Sequence, residues 1–479
     1  MSRATNSERS PLLRIQSRQS DARSVVFSAP PSTAHVAVVC FLMAAAHQAA
    51  SLLAELAAED LHRAAGGLLV LEDLDRVGAG EAVLAAVAAV VTPIPMGIAA
   101  DRWGRRPFLV LPLMGSLLNV GSRMLIYGLP QVFSLRLTWL SASFELFTGG
   151  GTAFFAIVYT ILTDVTLKAQ RSTCFFHLAA CNILAAQIGL KVRDLITDRF
   201  GPWSVLIGAF GVFVFATLCA FCLPETVHLS WTAYNEEAVE EEIAAQTAAQ
   251  RIRVSLAAAY TQFTTSMAAL FWHNKRLAIL LPTLLVMALN AQAMGSLILY
   301  VSHRYRWAPD KVTTIYAVES ISHFSLNVLV LPLAAHALLS SGFSARQTDT
   351  TFVRWGIVTA AAGLVGIGLA PDVGLFMVAL ALYALINAYH GGILGLLSQL
   401  ACKDHTAAMF ATTRVLATTG SLLSAPLFDA LFKLGIDRGK AWSGLPYLAL
   451  GCICCLCGAV VFVATSGGFD REAEAEDSD

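Results

Sequence analysis

Three polar side chains recur at four-residue intervals within an apolar stretch of the second half of the chain. They are Glu319, His323 and Asn327, and residues four apart lie on one face of an α-helix. A carboxyl group and an imidazole in a poorly solvated place can both exchange protons near neutral pH. The spacing therefore predicts a proton relay through Glu319 and His323, with a satisfied polar contact between neighbouring helices as the alternative.

A second carboxyl group, Glu145, lies inside another apolar stretch and is a rival proton carrier. A charged residue at membrane depth is costly, so it tends to face a water-filled cavity and to serve a function. The alternative for Glu145 is a structural ion pair with Arg414 or Arg123.

Other polar residues near the middle of apolar stretches are candidates for lining a substrate cavity. Arg414 is equally suited to binding an anionic substrate and to pairing with an acid. The remaining cavity candidates are His47, Gln48, Thr148, Asn290, Gln292, Asn387 and His390.

The elements that position these residues are apolar stretches long enough to cross a bilayer. A hydrocarbon core of ~30 Å requires about 20 residues per helix, and this 479-residue chain is 56% hydrophobic and only 14% charged. The pattern predicts an all-α membrane protein with twelve transmembrane helices, named here span one to span twelve. Their predicted ranges are 35–56, 81–99, 107–128, 137–161, 173–192, 203–223, 277–301, 313–335, 353–370, 373–397, 409–432 and 445–466.

Twelve crossings place both termini on one side of the membrane, and the excess of Lys and Arg on that side predicts that it is cytosolic. The last outer loop, with Lys433, Arg438 and Lys440, departs from this rule. We expect the plasma membrane or the vacuolar membrane. The predicted units are a disordered tail at 1–34, an N-terminal six-helix half at 35–224, a cytosolic linker with a helix at 225–275, a C-terminal six-helix half at 276–466 and an acidic tail at 467–479.

Several function classes are disfavoured by the sequence. The chain has no HExxH, GxSxG or P-loop motif, so we expect neither an enzyme nor direct coupling to ATP. A formal net charge of −1 argues against nucleic-acid binding. The ten cysteines form no metal-binding pattern, and we expect no cofactor, no metal and a monomer embedded in the lipid bilayer.

The loop between span two and span three carries the most specific motif. Residues 97–106 read GIAADRWGRR, and this G-x-x-x-D-R-x-G-R-R pattern resembles the signature of the major facilitator superfamily. The resemblance implies two six-helix halves, with spans one, four, seven and ten lining the cavity. It also implies a conformational latch formed by Gly97, Asp101, Arg102, Gly104, Arg105 and Arg106.

Two other stretches are similar to family motifs but depart from them. Residues 145–153 resemble R-x-x-Q-G-x-G-x-A, with Glu145 at the position of the Arg. Residues 332–336 align with 97–101 and place His336 where the first half has Asp101. Residues 300–307 and the N-terminal tail look similar to fungal facilitators that are distantly related to proton-coupled folate and tetracycline carriers.

These features predict a secondary transporter that works by alternating access, with a small-molecule substrate and protons as its partners. The preferred function is proton-coupled export of a small organic molecule or secondary metabolite. Proton-coupled uptake of an anionic nutrient, anchored by Arg414 and His390, is the first alternative. A membrane sensor that does not transport is the second.

Overall fold

The computed structural model describes residues 33–50, 68–129, 132–226, 275–307, 309–401 and 405–465. Every regular element within these ranges is a helix. The predicted linker helix within 225–275 and the predicted disordered tails lie outside the described residues, apart from a few residues at their edges.

The helices agree in order and position with the predicted spans. In the described part of the chain, ten helices are long and apolar enough to cross a bilayer, and the pair Val77–Val91 and Pro93–Trp103, bent by 42°, adds an eleventh. The shorter apolar helix Thr33–Ala46 stands in the place of span one. All-α architecture with the predicted order of spans is therefore the observed fold class.

The boundaries differ most where charged residues lie near the start of a helix. Span two begins at Leu68 and span nine at Ala345, both earlier than predicted, because the charged residues close to these starts were interpreted as parts of loops. The observed helices are Thr33–Ala50 (span one), Leu68–Val91 and Pro93–Trp103 (two), Arg105–Gly128 (three), Thr138–Thr148 and Gly150–Val165 (four), Arg171–Phe200 (five), Pro202–Phe221 (six), Lys275–Ala288, Ala291–Gly295 and Leu297–Tyr305 (seven), Pro309–Ser325 and Leu331–Ser340 (eight), Ala345–Leu369 (nine), Val373–Ala384 and Ile386–Leu400 (ten), Thr406–Asp437 (eleven) and Leu445–Thr465 (twelve).

Besides the bend in span two, four spans are interrupted beside their polar residues. Span four breaks at Gly149, span seven breaks at Asn290, and span ten breaks at Leu385, two residues before Asn387. Span eight contains a π-helical segment, Leu326–Val330. Irregular backbone at membrane depth is tolerated only where it is buried in protein or lines a water-filled space, so these interruptions mark the interior of the bundle.

The break in span four depends on two glycines with positive φ. Gly149 has φ 77° and Gly150 has φ 53°, a region in which a Cβ atom is disfavoured. The hydroxyl of Thr92 in span two donates to the carbonyl of Leu146 at 2.7 Å, which satisfies an acceptor next to the break. The local sequence and a neighbouring helix therefore both stabilise this break in the helix.

We expect Gly149→Val to destabilise the protein by about 1–3 kcal/mol, the usual cost of a strained backbone conformation. A Cβ at this position would also lie 2.5 Å from the Cβ of Ala153 and 2.7 Å from the Sδ of Met96. Thermal unfolding in detergent measures the effect as a lower midpoint. Gly151→Ala is the matched control, because its Cβ would meet only the Cε of Met43, at 3.8 Å, and an equal shift in both variants would contradict the explanation.

Helices pack within each half, and the two halves also pack against each other. Span one packs on spans five and six, and span nine packs on spans ten and twelve. The halves meet where span eleven contacts spans two and four, and where span five contacts spans eight and ten. The residues considered below lie along these two contacts and between them.

Candidate functional site

Asp101, the last acidic residue of span two, contacts the first turn of span eleven. Its Oδ1 accepts a hydrogen bond from the backbone N–H of Ala407 and its Oδ2 accepts one from Ala408, both at 2.9 Å. The first N–H groups of a helix lack partners within the helix, and the positive end of the helix dipole favours a carboxylate there. One side chain of the N-terminal half thus caps a helix of the C-terminal half.

Arg105 organises the rest of this motif. Its guanidinium pairs with Asp101 at 2.5 Å and with Asp164, at the end of span four, at 3.3 Å. The backbone N–H groups of Arg105 and Arg106 donate to the carboxylate of Glu225 at 2.6 and 3.0 Å. The motif therefore connects the ends of spans two, four and six to one another, in addition to its contact with span eleven.

The glycines of the motif permit these close approaches. Gly104 has φ 109°, and a Cβ on it would lie 2.6 Å from Glu225 Oε2. A Cβ on Gly97 would lie 2.6 Å from the carbonyl oxygen of Ala407. Arg102 differs from the rest, because its guanidinium lies 6.0 Å from the ring centroid of the adjacent Trp103, on the outside of this network.

Glu319, His323 and Asn387 form a row of neighbouring polar side chains between spans eight and ten. The amide nitrogen of Asn387 lies 2.7 Å from Nδ1 of His323, and Nε2 of His323 lies 3.8 Å from Oε1 of Glu319. An amide NH₂ can only donate, so Nδ1 is the acceptor and the neutral ring carries its proton on Nε2. That proton faces the carboxyl group of Glu319.

Asn327 leaves the predicted stripe. It lies in the π-helical segment of span eight, is 1% exposed, and donates to the carbonyl of His323 at 2.8 Å. The Nε2 atom of His323 is buried and makes no hydrogen bond to the residues that the structure describes. The row is therefore held by a hydrogen bond at its Asn387 end, whereas at its other end Nε2 of His323 and the carboxyl group of Glu319 are 3.8 Å apart.

His390 and Arg414 lie close to this row. His390, in the middle of span ten, has an exposed side chain in the described chain, and His323 and Arg414 are titratable groups near it. The guanidinium of Arg414 lies 5.5 Å from the ring centroid of Phe155 in span four, so it crosses from one half to the other. Such a stack on an aromatic face is favourable for a guanidinium.

No ion pair of Glu145 with Arg414 or with Arg123 exists among the described residues. Glu145 instead accepts a hydrogen bond from the amide of Asn119 at 2.7 Å. Arg123 pairs with Glu81 at 3.1 Å, a contact between spans three and two that the sequence did not reveal. The Nε atom of Arg414 is buried without a hydrogen-bond partner in the described chain.

Two predicted cavity residues instead pack between helices. Thr148 is 8% exposed and fills the space beside Gly115, where a Cβ would lie 1.9 Å from its Oγ1. Asn290 is 2% exposed, and its amide donates to the carbonyl of Met287 and to Sγ of Cys454 in span twelve. These contacts do not bring either side chain to a cavity, because polarity alone does not tell which face of a helix looks into one, and a role of Thr148 or Asn290 in substrate binding stays a prediction. The side chains of His47, Gln48 and Gln292 lie outside the described part of the structure.

Sequence reasoning missed an aromatic cluster between the halves. The rings of Tyr159 in span four, Phe175 in span five and Phe410 in span eleven lie 5.6–6.0 Å apart. They stand between the Arg414 level and the Asp101 level. Aromatic residues in apolar spans give no signal in a sequence that would distinguish this role from contact with lipid.

Comparisons with known proteins agree with this architecture. Residues 73–238 match the family model described as sugar (and other) transporter. The chain is 25% identical over 382 residues to the MFS efflux pump atnC of Emericella nidulans. The matched region covers 78% of this chain and 72% of that protein. It is 24% identical over 370 residues to the MFS-type transporter aprT of Aspergillus flavus, over 77% of this chain and 71% of that protein.

Solved structures share the fold at low sequence identity. The human organic anion transporter MFSD10 (TETRAN) superposes with a TM-score of 0.64 at 14% identity, over 90% of this chain and 100% of that one. The proton:xylose symporter XylE superposes with a TM-score of 0.65 at 11% identity, over 91% of this chain and 96% of that one. Together with the motif at residues 97–106 and the contacts between the two helical halves, these likenesses give the chain the fold of the major facilitator superfamily and indicate a membrane transporter, not an enzyme, that is similar to fungal members of that superfamily.

Proposed function

We propose that this transporter exports a small organic molecule in exchange for protons. The observation that carries the proposal is the row of Glu319, His323 and Asn387, in which a carboxyl group and an imidazole face each other at 3.8 Å inside the bundle. Such a pair can take up and release a proton as the cavity changes its exposure. Export is supported by relatives that are named efflux pumps.

Alternating access supplies the transport cycle in this proposal. The halves at 35–224 and 276–466 rock against each other around a site near the middle of the membrane. The motif at 97–106 holds the end of the molecule that we assign to the cytosol, because Asp101 caps span eleven only while the halves touch there. The protein acts as a monomer in the plasma membrane or the vacuolar membrane, with both termini in the cytosol.

Uptake of an anionic nutrient is a second candidate, favoured by Arg414. In the described structure no carboxylate lies within ion-pair distance of its guanidinium, and His390 is near it. A half-buried cation without a counter-ion is unfavourable, so an anionic group of a substrate would be bound favourably between Arg414 and His390.

Reconstitution into vesicles with an imposed pH gradient distinguishes the candidates. Export in exchange for protons predicts that a substrate moves opposite to the proton flux, whereas nutrient uptake predicts movement in the same direction. Candidate substrates should include neutral and anionic organic molecules of similar size. Movement of every candidate down its own gradient, without response to pH, would overturn proton coupling in both forms.

Arg414→Gln should weaken the apparent affinity for anionic substrates by about tenfold, since a hydrogen bond to a charged group contributes roughly 1.5–3 kcal/mol. Affinity for neutral substrates should change much less. Arg193→Gln is the matched control, because Arg193 lies near the outer end of span five and pairs with its neighbour Asp194 at 3.0 Å. Equal losses for neutral and anionic substrates in Arg414→Gln would assign Arg414 a purely structural role.

A further inference from the structure

A second polar cluster joins the two halves on the same side of the bundle as Asp101. Asp349, in the first turns of span nine, accepts a hydrogen bond from the hydroxyl of Ser172 in span five. Its other oxygen accepts one from the amide of Gln399, near the end of span ten, at 2.6 Å. Asp349 is 1% exposed and Ser172 is 4% exposed, so this carboxylate is buried in the interface between the halves.

Neighbouring residues hold span five close to span ten. Arg171 donates from Nη1 to the carbonyl of Ser398 at 3.1 Å, and from Nη2 to the carbonyl of Thr163 at 3.2 Å. A Cβ on Gly395 would lie 2.5 Å from Oδ2 of Asp349 and 2.6 Å from Oγ of Ser172. The packing around Asp349 and Ser172 therefore leaves no space for an additional side-chain atom. Separation of the halves at this end must break the contact.

Its position mirrors the contact of Asp101. Ser172 is the second residue of span five, just as Ala407 is the second residue of span eleven, and these spans are the fifth helix of each half. Each half thus uses one aspartate to hold the first turn of the other half's fifth helix. His336, which aligns with Asp101 in sequence, is exposed at the end of span eight, so the second half places its aspartate one helix further along the chain.

We infer that Asp349 is a second inner latch, a positioning residue that stabilises the state closed at the end we assign to the cytosol. The inference rests on the proposed alternating-access function. A buried carboxylate that loses its donors must be rehydrated, so the bonds to Ser172 and Gln399 favour the closed state. Since both donors are neutral, the amide introduced by Asp349→Asn would still accept from Ser172 and could pair with a flipped Gln399 amide, whereas the methyl group left by Asp349→Ala could do neither.

Hydrogen–deuterium exchange of the full-length protein in lipid, without substrate, tests this role. Asp349→Ala should raise the exchange of inner segments such as 168–173 by about tenfold, the usual effect of removing a buried hydrogen-bonding group. It should lower exchange at outer segments such as 302–307, because one end closes as the other opens. Ser172→Ala should act in the same way, and the double variant should add little to either single variant.

The controls separate a shift between states from a loss of stability. Asp349→Asn should remain close to the wild type, and Asp372→Ala, which removes an aspartate that caps span ten at its outer end, should leave the inner segments unchanged. Increased exchange at both ends, or no change in Asp349→Ala and Ser172→Ala, would overturn the inference. The exchange experiment contains no substrate, so its result is independent of the transport experiment. The inference about Asp349 can be overturned although vesicle transport is proton-coupled, and it can be supported although no proton-coupled transport is found.

Discussion

Asp101→Ala should lower the transport rate by about tenfold or more, while the protein still folds and reaches the membrane. The substitution removes both acceptors of the Ala407 and Ala408 amides and the closest counter-ion of Arg105. Arg105 is only 4% exposed and retains Asp164 at 3.3 Å, so the loss falls mainly on the contact between the halves. A bias of about 2 kcal/mol toward the inward-open state would slow each return to the outward-open state.

The test measures initial transport rates in vesicles together with hydrogen–deuterium exchange at the end of the bundle that we assign to the cytosol. Arg102→Ala is the control from the same loop, because the Arg102 side chain lies against Trp103, outside the network. Equal losses in Asp101→Ala and Arg102→Ala would show that the loop acts through its charge or its folding and not through the cap on span eleven. Asp101→Asn should be intermediate, since it keeps one acceptor for the two amides.

The fold was largely predictable because hydropathy and length are properties of local sequence. Each apolar stretch had to be a helix of about 20 residues, and the order of the spans followed. Helix ends were less predictable: span nine begins at Ala345 because Arg346 and Asp349 are buried between helices, whereas a hydropathy profile places such residues in a loop. The breaks in spans four, seven and ten likewise depend on neighbouring helices and not on local sequence alone.

The site was predictable where its contacts are local or belong to a motif. Glu319 and His323 meet because they are four residues apart, and the loop at 97–106 was recognised by its spacing. The partner of His323 was not predictable, because Asn387 is 64 residues away. Thr148 and Asn290 were assigned to the cavity because they are polar, yet the hydroxyl of Thr148 donates to the carbonyl of Phe144 and the amide nitrogen of Asn290 donates to the carbonyl of Met287 within the packed bundle. Only tertiary structure decides between a cavity and such packing.

Glu319→Gln should abolish substrate accumulation driven by a pH gradient. One pH unit is worth about 1.4 kcal/mol per proton, so exchange of one proton per substrate supports about tenfold accumulation. An amide in place of Glu319 can still face Nε2 of His323 but cannot carry a proton, so the accumulation ratio should fall to about one. Binding and exchange of substrate across the membrane should persist, because the change removes coupling and leaves the cavity in place.

Glu145→Gln provides the matched test of the rival carboxyl group. Glu145 has neutral Asn119 as its hydrogen-bond partner, whereas Glu319 faces His323, and His390 and Arg414 lie beyond it. The structure therefore favours Glu319 as the proton carrier, and Glu145→Gln should retain most of the accumulation. If Glu319→Gln still accumulates substrate and Glu145→Gln does not, the proton passes through the N-terminal half, and the row between spans eight and ten is a structural contact. If both variants accumulate substrate normally, neither carboxyl group carries the proton, and coupling by either acid is excluded.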